Sequence, residues 1–112
     1  LTKDQLELNK YLGSWAARDS KDNALATASQ AGEADKKHYI TGVAAGYSAA
    51  KVGLLQIKDG ATVIFEHYVN TAFDLSFPAP LKGTSGNAVS AELAASGAAG
   101  NIGKVNLIGF TA

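Results

Sequence analysis

The sequence predicts an all-β protein: an antiparallel β-sandwich with jelly-roll or Greek-key connections, carrying a short N-terminal helical arm. Three observations lead there. From about residue 24 onward the apolar residues recur with a period of two. Turn signals, among them Asp59-Gly60 and the run from Gly83 to Asn87, separate short strand-like runs. Residues 24–112 also lack the helical periodicity that the crossovers of a parallel α/β fold would need.

Residues 1–22 are charge-rich and read as the helix of the arm. Thr2 is positioned to cap it, and Gln5 three residues on completes a capping-box pattern. Leu8, Tyr11, Leu12 and Trp15 follow at i, i+3, i+4, i+7 and make one apolar stripe. Gly13 inside that stripe costs about 1 kcal/mol relative to Ala. The polar run Arg18 to Asn23 ends the helix. A helix this short is marginal in isolation, so its stripe needs a surface to lie on. The expected division is therefore an arm at 1–22 and a sandwich domain at 23–112.

In the sandwich, Tyr39, Thr41, Val43, Ala45 and Tyr47 alternate with His38, Ile40, Gly42, Ala44 and Gly46. The second set is mostly small, which marks Ile40, Gly42, Ala44 and Gly46 as a face that a neighbouring subunit could approach closely. Val52 to Ile57, Lys58-Asp59-Gly60 and Ala61 to Val69 read as a strand, a hairpin turn and a strand. Phe73, Leu75 and Phe77 alternate next and are expected to stop at Pro78-Ala79-Pro80. Val89, Ala91 and Leu93 form a further strand, and Lys104 to Phe110 closes the chain after a Gly-rich loop at 96–103.

At 112 residues with zero net charge, the chain has the size of one domain and lacks the basic footprint of a nucleic-acid binder. Without cysteine it has no disulfide framework and no thiolate zinc site. No apolar stretch approaches the roughly 20 residues of a membrane helix, and the N-terminus lacks an apolar signal region. A soluble protein with neither a membrane nor a nucleic-acid partner is expected. The abundance of Ala and Gly, with no Met and one Trp, implies a thin core that self-association would complete.

Motifs of catalysis are weak. The segment Gly97 to Lys104 suggests a phosphate loop, but position 98 is Ala where a Walker A loop needs Gly, and Val105 replaces Ser or Thr. Its glycines are spaced GxxGxxG, not as in a dinucleotide fingerprint, and no helix follows. His38 and His67 are far apart and lack metal-site spacing with Glu66 or Asp74, and a hydrogen-bonded, partly buried position is expected for His67. Ser48 lacks a nucleophile elbow, and Glu66, Asp74 and Glu92 sit singly on strands. The expectation is a chain with no catalytic set, no cofactor and no metal. Tyr11 and Trp15 on the arm, and Tyr39, Tyr47 and Tyr68 on strands, are of the residue types that anchor interfaces or stack on sugars.

From residue 38 to the C-terminus the sequence resembles small proteins encoded in the structural gene regions of tailed bacteriophages. The resemblance is carried by His38-Tyr39-Ile40, Gly46-Tyr47-Ser48-Ala49-Ala50, Leu55 to Gly60 and Thr62 to Phe65. It continues through Phe77 to Gly83, Gly86 to Val89, Leu93-Ala94-Ala95 and Gly103 to Asn106. It implies a jelly-roll virion protein on the phage head surface: a homotrimeric cement or decoration subunit, partnered by its own copies and the major capsid protein. The interface it points to combines Leu8, Tyr11, Leu12 and Trp15 with Ile40, Gly42, Ala44 and Gly46. The alternative is a receptor- or glycan-binding module of a phage fibre or tail.

Overall fold

The structure, a computed structural model, describes residues 2–112; the side chains of residues 6 and 9–11 lie outside the described residues. One helix, α1 (Lys3–Leu12), precedes eight strands: β1 (Ser14–Asp22), β2 (Ala26–Gln30), β3 (His38–Tyr47), β4 (Val52–Asp59), β5 (Thr62–Asn70), β6 (Ala72–Lys82), β7 (Val89–Leu93) and β8 (Ile102–Thr111). They form two antiparallel four-stranded layers, β1-β8-β3-β6 and β2-β7-β4-β5, joined at one corner by the pair Asn70↔Ala72. The antiparallel pairs nest as 1 with 8, 2 with 7, 3 with 6 and 4 with 5. That nesting is one long hairpin rolled into a sandwich, the jelly roll that the strand spacing predicts.

The capping box forms as the sequence indicates. Thr2 Oγ1 accepts the Gln5 N–H at 3.2 Å, and Gln5 Oε1 accepts the Thr2 N–H at 2.9 Å. The helix is shorter than the expected 1–22, however. Gly13 breaks it, and the Gly13 carbonyl accepts the Thr111 N–H at 3.0 Å, steering the chain directly into a sheet. Ser14–Asp22 then pairs with β8 along its whole length, from Ser14↔Phe110 to Asp22↔Ile102. Trp15 is consequently a strand residue, not the last member of the helical stripe. Its apparent i+7 position is also an inward position of a period-two run with Ala17, and the nine-residue ladder outweighs the local helical pattern.

The core is built from Ile40, Val43, Leu55, Ile57, Val69, Val89, Leu93, Val105, Leu107 and Phe110, with Ala26, Ala28 and Ala91 filling narrower places. Burying these side chains at about 25 cal/mol per Å² is the main force holding the layers together. Tyr47 reaches across the core, and its hydroxyl donates to the Ala94 carbonyl at 2.8 Å.

Two bulges re-aim the faces. In β3 the register shifts between Ile40 and Gly42, so His38 and Ile40 point inward before the bulge, and Val43, Ala45 and Tyr47 point inward after it. The expected continuous face of Ile40, Gly42, Ala44 and Gly46 is therefore broken: Ile40 is fully buried in the chain's own core. In β5 a second shift at Ile57/Lys58 turns Val63 outward while Ile64 and Phe65 both pack on the core. β6 does not stop at Pro78. It continues to Lys82, because residues 77–80 leave the ladder between Gly42↔Ser76 and Ile40↔Leu81 and the prolines forfeit no sheet hydrogen bond there.

Candidate interaction surfaces

Three surfaces carry side chains that the core leaves unused. The first is the arm with the cleft at its root. On α1, Leu8 is 54% and Leu12 75% exposed, so the described part of the apolar stripe is not laid on the chain's own sandwich. The side chain of Tyr11, the third member of the expected stripe, lies outside the described residues. Below Leu12 opens a cleft of about 440 Å³ lined by Trp15, Gln30, Glu33, Lys36 and Thr111. Trp15 closes its floor, packing where Gly109 has no side chain: a Cβ at 109 would come within 2.7 Å of the indole. The indole meets His38 edge-on at 5.6 Å, and its buried Nε1 has no hydrogen-bond partner. The ring belongs to the chain's own packing, not to a free arm.

His38 is the buried, hydrogen-bonded histidine. Its Nε2 lies 2.7 Å from the Ala31 carbonyl, which can only accept, so Nε2 carries the proton and Nδ1 faces the Thr111 hydroxyl at 2.8 Å. His67, for which the sequence suggests such a position, is exposed and stacks on Phe73 at 4.4 Å. Among the described residues no three His, Cys, Asp or Glu side chains gather as ligands for a metal ion.

The second surface is the outer face of β1-β8-β3-β6. Its register lines up three rows across the four strands: Ala16-Ile108-Gly42-Ser76, Arg18-Asn106-Ala44-Asp74 and Ser20-Lys104-Gly46-Ala72. Gly42, Ala44 and Gly46 thus share an outward face as the sequence indicates, without Ile40. The column contributed by β3 is the lowest part of the face, and the column from β8 stands highest. Ile108 is 47% exposed and leans across Gly42, with 3.1 Å from its Cδ1 to where a Cβ would sit. A hollow of about 90 Å³ lies beside it, between Gly42, Ala44, Asp74 and Asn106.

The third surface is the outer face of β4 and β5, where Tyr68 is 70% exposed beside Leu54 and Glu66. Of the other strand tyrosines, Tyr47 is in the core and Tyr39 stacks on Phe110 at 4.9 Å.

Hydrogen-bond networks fix both ends of the sandwich. At one end, Asn101 accepts the Ala49 N–H at 2.9 Å and donates to the Ala49 carbonyl at 3.3 Å, while Asp22 takes the Gly100 N–H at 2.7 Å. The Gly-rich segment is thus a pinned turn leading into β8. At the other end, burial pushes the Asp59 carboxyl up, but hydrogen bonds from the Thr84 hydroxyl, the Thr84 N–H and Asn87 prevail and hold it below its ordinary value. On the edge of β1, the Lys21 ammonium and the Thr27 N–H lower Asp19 to about 2.

No protein-family model matches the chain, and no curated protein matches it either. Among solved structures, it is similar to CsCBM6-3 from Clostridium stercorarium, determined in complex with cellobiose, with a TM-score of 0.46 and 13% identity over 83% of this chain and 72% of that one. It is also similar to the insecticidal delta-endotoxin Cry8Ea1 from Bacillus thuringiensis, with a TM-score of 0.40 and 14% identity over 81% of this chain and 18% of that one.

Proposed function

We propose that the chain is a non-catalytic subunit of a tailed-phage virion, a head decoration or cement protein that grips a neighbouring capsid subunit through its N-terminal arm. The observation that carries this reading is the exposure of Leu8 and Leu12 on a ten-residue helix. A helix of that length is marginal in water, and its apolar stripe gains stability by burial against a partner. The arm is rooted on the jelly roll at the end of β8, where the Gly13 carbonyl accepts the Thr111 N–H at 3.0 Å. The resemblance of residues 38–112 to phage structural proteins implies the major capsid protein as the partner. The test is binding of the purified chain to phage heads assembled without it. Saturable binding is expected, and failure of the chain to bind would refute the decoration reading.

A second reading, a glycan-binding module, draws on Tyr68. An exposed tyrosine ring with Glu66 two residues before it on the same strand face offers a stacking face with a carboxylate beside it. Binding on a glycan array that disappears in Tyr68→Ala would favour this reading over decoration.

A further inference from the structure

We propose that the outer face of β1-β8-β3-β6 pairs with the same face of a second copy, about a two-fold axis that runs parallel to the strands between β8 and β3. A rotation about that axis keeps each row level and reverses the strand order. The partner's β6 then lies over β1, and the partner's β3 over β8. The middle row is complementary to itself under this operation. Arg18 comes to face Asp74 of the second copy and Asp74 faces Arg18, giving two opposite-charge contacts about 14 Å apart across the four strands. A symmetric interface of this kind makes every contact twice.

The relief of the face matches as well. The high column of β8 comes down on the low column of β3, so Lys104 meets Gly46 and Asn106 meets Ala44. The hollow of about 90 Å³ beside Ala44 lies where the second copy's Asn106 descends. The two Ile108 side chains, each leaning across its own Gly42, meet at the axis in the space that the glycines leave. Across the outer columns Ala16 meets Ser76 and Ser20 meets Ala72, all small. Arg18, Lys104 and Asp74 are exposed; the two Lys104 side chains approach each other across the axis in the end row, and their ammoniums splay outward to water along the rim, so this row opposes the pairing and the Arg18–Asp74 row favours it.

The footprint is modest. Four strands about 4.8 Å apart and three rows about 7 Å apart cover about 400 Å² of flat area per copy. A standard interface buries about 800 Å² per partner, so association in the micromolar range is expected. This pairing is independent of the arm and sets a two-fold association against the threefold one that the phage resemblance implies.

A charge exchange tests it. Sedimentation equilibrium from about 10 μM to about 1 mM should show a monomer–dimer equilibrium for the natural sequence. Asp74→Arg brings two pairs of cations together and should weaken the dimer at least about tenfold. Arg18→Asp should do the same, and the double variant Arg18→Asp/Asp74→Arg should restore the dimer. Circular dichroism unchanged across the four proteins confirms that each is folded, since both side chains face solvent in the single chain. A monomer throughout, a trimer, or a dimer indifferent to Asp74→Arg overturns the proposal. Capsid binding through the arm is read separately, so either claim can fail without the other.

Discussion

Gly53 on β4 is the position where one added methyl group should do most damage. A Cβ there would lie 1.9 Å from the Tyr47 hydroxyl and 2.8 Å from its Cζ. Tyr47 is not free to step aside. Its ring is 7% exposed, and its hydroxyl is tied to the Ala94 carbonyl at 2.8 Å. Gly53→Ala therefore forces the ring out of position, an overpacking cost of about 1–3 kcal/mol, and sacrifices a buried hydrogen bond worth about 1–2 kcal/mol. The expected loss is about 2–5 kcal/mol, a large part of the 5–15 kcal/mol typical of a domain. In urea denaturation the midpoint should fall by about 1–2.5 M at an m-value of about 2 kcal/mol/M. Tyr47→Phe should cost about 1 kcal/mol by itself. In that background the worst contact is absent, so Gly53→Ala should cost at least about 1 kcal/mol less than in the natural sequence. If Gly53→Ala lowers stability by less than about 0.5 kcal/mol, or if the two substitutions are additive, the close approach of β4 to Tyr47 is wrong.

Two further outcomes follow from the same structure. Asp59 has a folded-state pKa below its unfolded value of about 3.9, so its contribution is fully present above that pH and is lost as pH falls through the lower folded value. Asp19, at about 2, acts in the same direction. Urea midpoints should thus decline as pH drops from about 4 towards 2, and Asp59→Asn should make that decline shallower; equal slopes for the two proteins would contradict the network around Asp59. On the arm, Leu8→Asp/Leu12→Asp should leave the sandwich within about 0.5 kcal/mol of the natural stability, because both side chains face solvent in the single chain.

Most of the sandwich is legible from periodicity and turn chemistry. The runs that become β3, β4, β5, β6, β7 and β8 all alternate, and Asp59-Gly60 gives the β4–β5 hairpin, with Gly60 at φ +60°. What the pattern hides has physical causes. β1 is a polar edge strand whose inward residues are Trp15 and Ala17, so its period-two signal is faint and a helical one overlaps it. β2 buries only Ala26 and Ala28, side chains too small to announce a core position. A bulge reverses every face beyond it, and nothing in the composition of β3 marks Thr41 as the extra residue. The candidate interface divides along the same lines. Leu8 and Leu12, whose spacing calls for a surface to lie on, are exposed in the single chain, and Gly42, Ala44 and Gly46 line one outward face. Trp15 and Ile40 belong to the sandwich interior because a glycine break and a bulge intervene. Arg18 and Asp74 carry no local signal as a pair, since they are brought into one row only by the ladder through β8 and β3.

The proposed attachment to a phage head through the arm is tested most directly by adding back purified protein to heads that were assembled without it. Saturable binding by the natural sequence and a rise in the heat resistance of the heads are expected, with loss of both in Leu8→Asp/Leu12→Asp. Heads that bind the variant as well as the natural sequence, or that bind neither, would contradict it.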